Sequence, residues 1–193
     1  MINIVLFGPP GAGKGTQSEK MINTFNLVHL ATGDLLRKEI GEGSELGLKA
    51  KELIDAGKLV PDDVVIGMME QQLQTHTDAA GFIFDGFPRT EDQAEALDKL
   101  LARQNTELDA MLALQVPEEE LISRLLERGK SSGRSDDNDE TVIRNRIQEY
   151  EDKTATLASY YHNQGKYYPI EGVGSIDEIF ERISQVVRQV QNA

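Results

Sequence analysis

Cysteine is missing from the chain, which excludes a disulfide framework, a cysteine-ligated zinc site and thiol catalysis. The same absence suits a reducing compartment, and the cytoplasm is the expected location. Histidine is scarce: His29, His76 and His162 stand far apart without ligand spacing, and all three read as structural. No apolar run approaches the length of a membrane-spanning helix. Met1-Ile2-Asn3 leads straight into a strand-like run, with no basic or signal-like leader. Basic residues are outnumbered, 20 Lys and Arg against 33 Asp and Glu, and the net charge of −13 repels polyanions. With no basic tail and no RNA-binding aromatic motif, neither nucleic acid nor membrane is an expected partner. No extra interface is evident, so a monomer is expected.

What the chain does have is one domain's worth of core: 193 residues, 39% of them hydrophobic. Short apolar runs that suit buried strands fall at 2–7, 27–30, 81–84, 110–116 and 167–170. Between them, apolar residues recur every three or four positions at 13–24, 34–40, 46–56, 62–75, 90–102, 117–127, 140–163 and 175–190, the spacing of helices. Such alternation predicts an α/β fold with three α/β/α layers around a five-stranded parallel sheet. Pro61-Asp62-Asp63 opens a helix, Gly57 ends the one before it, and Ser175-Ile176-Asp177-Glu178 is an N-cap pattern. Two segments interrupt the alternation. An all-helical stretch near 32–76 is too long for a plain crossover, and the small, polar, glycine-bearing segment 128–139 reads as a mobile loop between helices.

The first strand runs directly into Phe7-Gly8-Pro9-Pro10-Gly11-Ala12-Gly13-Lys14-Gly15-Thr16. This is a phosphate-binding loop: glycines let the backbone turn its N–H groups toward phosphate oxygens, the next helix adds the positive end of its dipole, and Lys14 adds a full charge. The residue after the lysine is Gly15, so the usual hydroxyl arrives one position late, at Thr16. A displaced hydroxyl is poorly placed to ligate Mg²⁺ directly, which leaves the metal to waters and phosphates. The loop alone does not separate kinase, ATPase and GTPase. Arginines recur near glycines and turns at 37, 89, 124, 128, 134, 144 and 146, as expected for a small anionic ligand gathered from several segments. Asp136 and Asp137 either orient those arginines or start the next helix. Asp85 closes the third strand, beside the phosphate loop, where an acid can hold water on Mg²⁺.

Further motifs stand in order along the chain: Ala31-Thr32-Gly33-Asp34-Leu35-Leu36-Arg37, then Gly57-Lys58-Leu59-Val60-Pro61, then Asp85-Gly86-Phe87-Pro88-Arg89-Thr90-x-x-Gln93, then Ser132-Gly133-Arg134-Ser135-Asp136-Asp137-Asn138 and Gly172-Val173-Gly174. With the phosphate loop they closely resemble the adenylate kinase family over essentially the whole chain. Taken singly, Thr32 or Gln93 would be a cap or surface residue and each arginine a solvated charge; the conjunction carries the resemblance. The segment between Arg128 and Arg134 has no room for a zinc-bearing subdomain, so the chain resembles the short-lid members, without zinc.

The resemblance implies reversible, Mg²⁺-dependent phosphoryl transfer from ATP to AMP giving two ADP, in the service of adenine nucleotide balance. It implies a core of 1–30, 61–127 and 139–193, an AMP-binding insertion at 31–60 and a lid at 128–138. Gly11, Ala12, Gly13, Lys14, Gly15 and Thr16 would hold ATP, with Arg124 against its adenine, Arg128 on its phosphates and the backbone at Gly174 bordering the base. Thr32, Arg37, Arg89 and Gln93 would hold AMP, aided by the backbone of Lys58, Leu59, Val60, Gly86, Phe87 and Pro88. Lys14, Arg89, Arg128, Arg134 and Arg146 would act on the transferring group, the last two also reaching AMP. Twelve positions separate Arg134 from Arg146, one more than in similar short-lid sequences. If the extra residue lies in the turn at 136–140, Arg146 keeps the role; inside the helix it would pass the role to Arg144. Arg146-Ile147-x-x-Tyr150 matches the downstream pattern and favours Arg146. A pyrimidine monophosphate kinase would share loop and lid but tends to differ at Thr32 and Gln93. A P-loop switch or ATPase would not need a second arginine set, and a binding protein without catalysis would not need Lys14, Arg89 and Arg128 together.

Overall fold

The computed structural model describes residues 1–192. Its strands, β1 Ile2–Phe7, β2 Val28–Ala31, β3 Gly81–Asp85, β4 Ala110–Gln115 and β5 Tyr167–Glu171, make one parallel sheet in the order β2-β3-β1-β4-β5. Ile4 lies opposite Ile83 of β3 and Ala110 of β4, which puts β1 in the middle. Covered on both faces, β1 is buried from end to end. Its side chains alternate between two apolar layers. Ile4 and Leu6 join Met21, Leu112 and Ile183 in one, while Val5 and Phe7 join Phe84, Leu97 and Leu101 in the other. Burying each such side chain contributes about 1.5–3 kcal/mol, so these layers rather than local propensity hold the helices on the sheet.

Parallel pairing demands a crossover after each strand. Helices α1 Lys14–Phe25, α4 Asp62–Thr75, α5 Glu91–Arg103, α6 Glu118–Ser132 and α9 Ile176–Gln191 flank the strands, and α2 Thr32–Glu42 with α3 Glu45–Asp55 form the extra segment after β2. In α9, Ile179, Ile183 and Val187 recur every four residues and are buried, and a capping box between Ser175 and Glu178 starts the helix. Connections from β1 and β3 leave toward opposite edges of the sheet, opening a crevice beyond their carboxyl ends.

Two expectations are corrected. Helix α6 does not stop at 127 but continues to Ser132, so the first five residues of the segment read as a mobile loop are helical. Its continuation is possible because residue 129 is glycine: the 3₁₀ turn Ser135–Asp137 folds back over it, and a Cβ there would stand 2.4 Å from the Asp137 carbonyl oxygen. The expected single helix over 140–163 is instead α7 Glu140–Glu149, a π-turn Tyr150–Thr154 and α8 Leu157–His162. Ile143 and Ile147 belong to the layer of Ile4, whereas Leu157 and Tyr161 belong to the layer of Val5. The chain therefore passes from one face of the sheet to the other, and the wider turn shifts the helical phase as it crosses.

Candidate active site

Beyond β1 and β3 opens a cavity of about 390 Å³, within the range of small-molecule sites. At one wall the phosphate loop leads into α1, which has no side-chain cap at its start. Its first-turn N–H groups therefore have no intrahelical acceptor and face the crevice with the positive end of the helix dipole. The Lys14 ammonium donates to the carbonyls of Gly8 at 2.9 Å and Pro9 at 3.2 Å. Its pKa is lowered to about 8, chiefly by burial; Asp85 opposes this, and Arg89, Arg146 and Arg128 add to it.

The opposite wall comes from β3 and the insertion. Gly86 takes a positive φ of 75°, and its carbonyl accepts from the Thr32 hydroxyl at 2.9 Å and from Arg89 Nε at 2.8 Å. A Cβ at 86 would stand 2.8 Å from the Thr32 hydroxyl and 3.0 Å from an Arg89 nitrogen, so glycine is what lets both side chains converge. Arg37 donates to Asp34 at 2.6 Å, and Asp34 also lies 3.7 Å from Arg134. Burial and the like charge of Arg146 lower the Arg89 pKa, as burial, Arg37 and Arg128 lower that of Arg134.

The third wall descends from α6 and α7. Asp137 is fully buried and accepts from Arg128 Nε at 2.5 Å, Arg128 Nη2 at 2.9 Å and Arg146 Nη1 at 2.6 Å. Burial alone would raise its pKa, but the two guanidiniums hold it below the usual carboxylate range. Asp136 adds an ion pair to Arg146 at 3.0 Å. Helix α7 starts on Asp139, so Asp136 and Asp137 orient arginines rather than cap the helix. Arg146 lines the cavity; Arg144 turns outward to Glu140 and Glu118. The segment 128–138 also touches the insertion directly, through the Ser135 hydroxyl on Asp55 at 2.6 Å.

Of the residues expected from sequence, the cavity gathers Gly11, Gly13, Lys14, Gly15, Thr16, Thr32, Arg37, Lys58, Leu59, Val60, Asp85, Gly86, Phe87, Pro88, Arg89, Gln93, Arg128, Arg134 and Arg146. It does not gather Ala12, which is buried beneath the loop, nor Arg124 and Gly174. Arg124 pairs with Glu120 and donates to the Gly172 carbonyl at 3.0 Å, which ties α6 to the loop that holds Gly174 outside the cavity. His29, read as merely structural, stands with Nε2 3.3 Å from Asp85. Burial raises the Asp85 pKa, but the His29 contact with the charges of Lys14 and Arg89 lowers it further than burial raises it. Asp34 and Asp62, placed by sequence in a motif and at a helix start, are also partners of site residues. Asp34 had a signal, three residues before Arg37 on one helix; Asp62 meets Gln93 from 31 positions away and had none.

Asp85 is a carboxylate held ionised at the wall of the cavity that Thr16 of the phosphate loop also lines, and an ionised carboxylate fits a cation arriving with phosphates. Among the described residues no group of three His, Cys, Asp or Glu gathers as a protein-only metal cage. Nor is any described helix long and apolar enough to cross a membrane.

Comparison with known proteins adds identity to this geometry. The family model "Adenylate kinase" matches residues 6–166. The chain is 52% identical to the adenylate kinase of Flavobacterium johnsoniae, over 97% of this chain and 98% of that protein. It is 53% identical to that of Parabacteroides distasonis, over 99% of this chain and 100% of that protein. Likeness of that extent over nearly the whole length establishes that the chain belongs to the adenylate kinase family.

Proposed function

We propose that the chain transfers the γ-phosphoryl group of MgATP to AMP, reversibly, giving two ADP. One observation carries this reading above the others: Lys14 and arginines 37, 89, 128, 134 and 146, drawn from separate segments, line a single cavity in a chain of net charge −13. Burial, together with the crowded like charges, lowers the pKa of Lys14, Arg89 and Arg134, and a polyanion between them removes the repulsion. A lone triphosphate on the loop would not need Arg37 and Arg89 on the far wall; a second phosphate-bearing ligand there does.

The roles follow from the walls. The loop from Gly11 to Thr16 and Lys14 would bind the β- and γ-phosphates, which replace the Gly8 and Pro9 carbonyls as partners of the ammonium and keep it protonated. Arg37 and Arg89 would fork around the AMP phosphate, and Thr32 and Gln93 would read its base, with the backbone of 58–60 and 86–88 around the ring. Arg124 and the backbone at Gly174 would border the ATP adenine outside the cavity, where α6 and the 172–174 loop are tied together. Arg128, Arg134 and Arg146 would stabilise charge on the phosphoryl group in flight. Asp85 would help hold a Mg²⁺ ion arriving with the phosphates, and that ion would supply further charge neutralisation. No side chain need act as nucleophile: the AMP phosphate oxygen attacks phosphorus in line. The contacts of Ser135 with Asp55 and Arg134 with Asp34 join the segment 128–138 to the insertion 31–60, the closure that keeps water from the γ-phosphate. We further propose a monomer acting in the cytoplasm, a reading supported by the cysteine-free, acidic chain.

Direct transfer has a kinetic signature. Initial rates measured over a grid of MgATP and AMP concentrations should give lines that intersect in double-reciprocal form, and radiolabelled ATP alone should leave no label on the protein. Parallel lines with a labelled enzyme would replace direct transfer by a covalent intermediate.

A further inference from the structure

Gln93 is only 2% exposed yet lines the cavity, and both ends of its amide are tied from behind. Its Oε1 accepts from the Arg89 backbone N–H at 2.8 Å, and its Nε2 donates to Asp62 Oδ1 at 2.7 Å. Asp62 is held in turn, its Oδ2 accepting from the Thr90 hydroxyl at 2.9 Å. These partners allow the amide one orientation. A backbone N–H can only donate and an ionised carboxylate can only accept. Turning the amide over would set N–H against N–H and oxygen against carboxylate, breaking two hydrogen bonds in a buried place.

Each end of the amide keeps a spare position: a second N–H on Nε2 and a second lone pair on Oε1. A purine presents a matching pair of groups at its six-membered ring. In a 6-aminopurine the exocyclic amine donates and N1 accepts; in a 6-oxopurine the exocyclic oxygen accepts and N1–H donates. An amide free to turn over could serve either base. An amide held in one sense can serve only one.

We propose that Asp62 is a positioning residue for base selection: by fixing the sense of the Gln93 amide, it makes the acceptor site choose a 6-aminopurine monophosphate over a 6-oxopurine one. This rests on the acceptor reading given above. Asp62 does not itself reach the base. Nor does α4 need this particular carboxylate for its dipole, because Asp63 stands beside it in the same first turn. The discrimination is repulsive as much as attractive, since the wrong base meets donor with donor and acceptor with acceptor.

The test compares the wild type with Asp62→Asn and Thr90→Val. Asparagine keeps the shape but offers either an oxygen or an N–H, so it no longer dictates the sense of the amide; valine removes the hydroxyl that steadies Asp62 and that also caps α5 by accepting from the Gln93 N–H at 3.3 Å, so its melting temperature is read beside its ratio. Steady-state kcat/KM is measured for AMP and for GMP with MgATP, along with KM for ATP and the melting temperature. In Asp62→Asn the AMP-to-GMP ratio of kcat/KM should fall by about tenfold, the factor one hydrogen bond commands. KM for ATP should stay within about twofold, and Thr90→Val should show a smaller fall in the same ratio. Should Asp62→Asn fail to fold, Thr90→Val carries the test. Variants that retain the wild-type ratio, however much both rates drop, would make Asp62 a structural residue and overturn the proposal. A wild type that does not prefer AMP to GMP would instead overturn the acceptor reading itself.

Discussion

Turnover of Arg89→Met should fall by about a thousandfold or more, with the melting temperature staying within a few degrees of the wild type. A well-placed arginine stabilises the charge on a phosphoryl group in flight by about that factor. Arg89 is placed for it: its Nε is fixed on the Gly86 carbonyl, and its guanidinium lies within electrostatic reach of Arg146, Arg37 and Asp85. Stability and activity pull in opposite directions here. Burial and the neighbouring cations disfavour its charge in the folded protein, so removing it relieves repulsion, while the lost bond to Gly86 costs about 1 kcal/mol. For a chain of this size that is worth about 2–4 °C in either direction. Methionine keeps most of the apolar stem. Steady-state kinetics and a thermal melt of the variant check both halves; a loss of activity smaller than tenfold would remove Arg89 from the transfer step.

Replacing Asp137 with alanine should do the reverse and damage both. Its carboxylate is the shared acceptor of Arg128 and Arg146, and without it Arg128 loses the partner of its guanidinium while Arg146 keeps Asp136. Breaking a buried pair costs about 3–5 kcal/mol. The lower figure applies, because the Arg128 side chain is 35% exposed and water takes up part of its charge. About 3 kcal/mol corresponds to a drop of roughly 6–12 °C in melting temperature. Both arginines lose their aim, and misplacement on that scale costs about a hundredfold in rate. The pH dependence has a definite sign. The folded-state pKa of Asp137 lies below its unfolded value, so its contribution is complete above that unfolded value, about 4, and is lost as pH falls through the folded one. Denaturant unfolding of wild type and variant should therefore differ most at neutral pH and converge in acid. A difference that persisted unchanged in acid would assign Asp137 a packing role instead.

Much of the fold was legible because periodicity reports burial. The strand at 2–7 reads as an apolar run, interrupted by Asn3, for the same reason that Ile2–Phe7 is buried on both faces, and the capping box at Ser175 announced α9. Helix ends were harder. At Gly129 the sequence offers a helix breaker, and only the turn at Ser135–Asp137, which needs a bare Cα beneath it, explains why the helix continues. The break after Glu149 was hidden because Ile143, Ile147, Leu157 and Tyr161 keep a helix-like spacing while addressing opposite faces of the sheet.

The site divides in the same way. Residues proposed to act on a ligand from within a local motif had a signal: Lys14 in the spacing of its glycines, Arg37 and Arg89 in the motifs that carry the family resemblance. Residues that act on other residues across the fold had none. His29 meets Asp85 across 56 positions through the pairing of β2 with β3, and Asp62 meets Gln93 across 31 where α4 packs against α5, so in neither case does the local chain bring them together. The ambiguity between Arg144 and Arg146 was one of helical phase, and phase is a property of the folded backbone: Arg146 turns to Asp137 and the cavity, and Arg144 to Glu140 on the outer face.

The most direct measurement supplies the purified protein with MgATP and, in separate reactions, AMP, UMP, CMP, GMP or no acceptor, and follows each product by chromatography. Rapid ADP formation with AMP, far exceeding transfer to the other monophosphates and dependent on an acceptor being present, is the expected result. Faster transfer to UMP or CMP would make Thr32 and Gln93 readers of a pyrimidine, and ADP released equally without any acceptor would contradict the two-nucleotide reading of the arginine cluster.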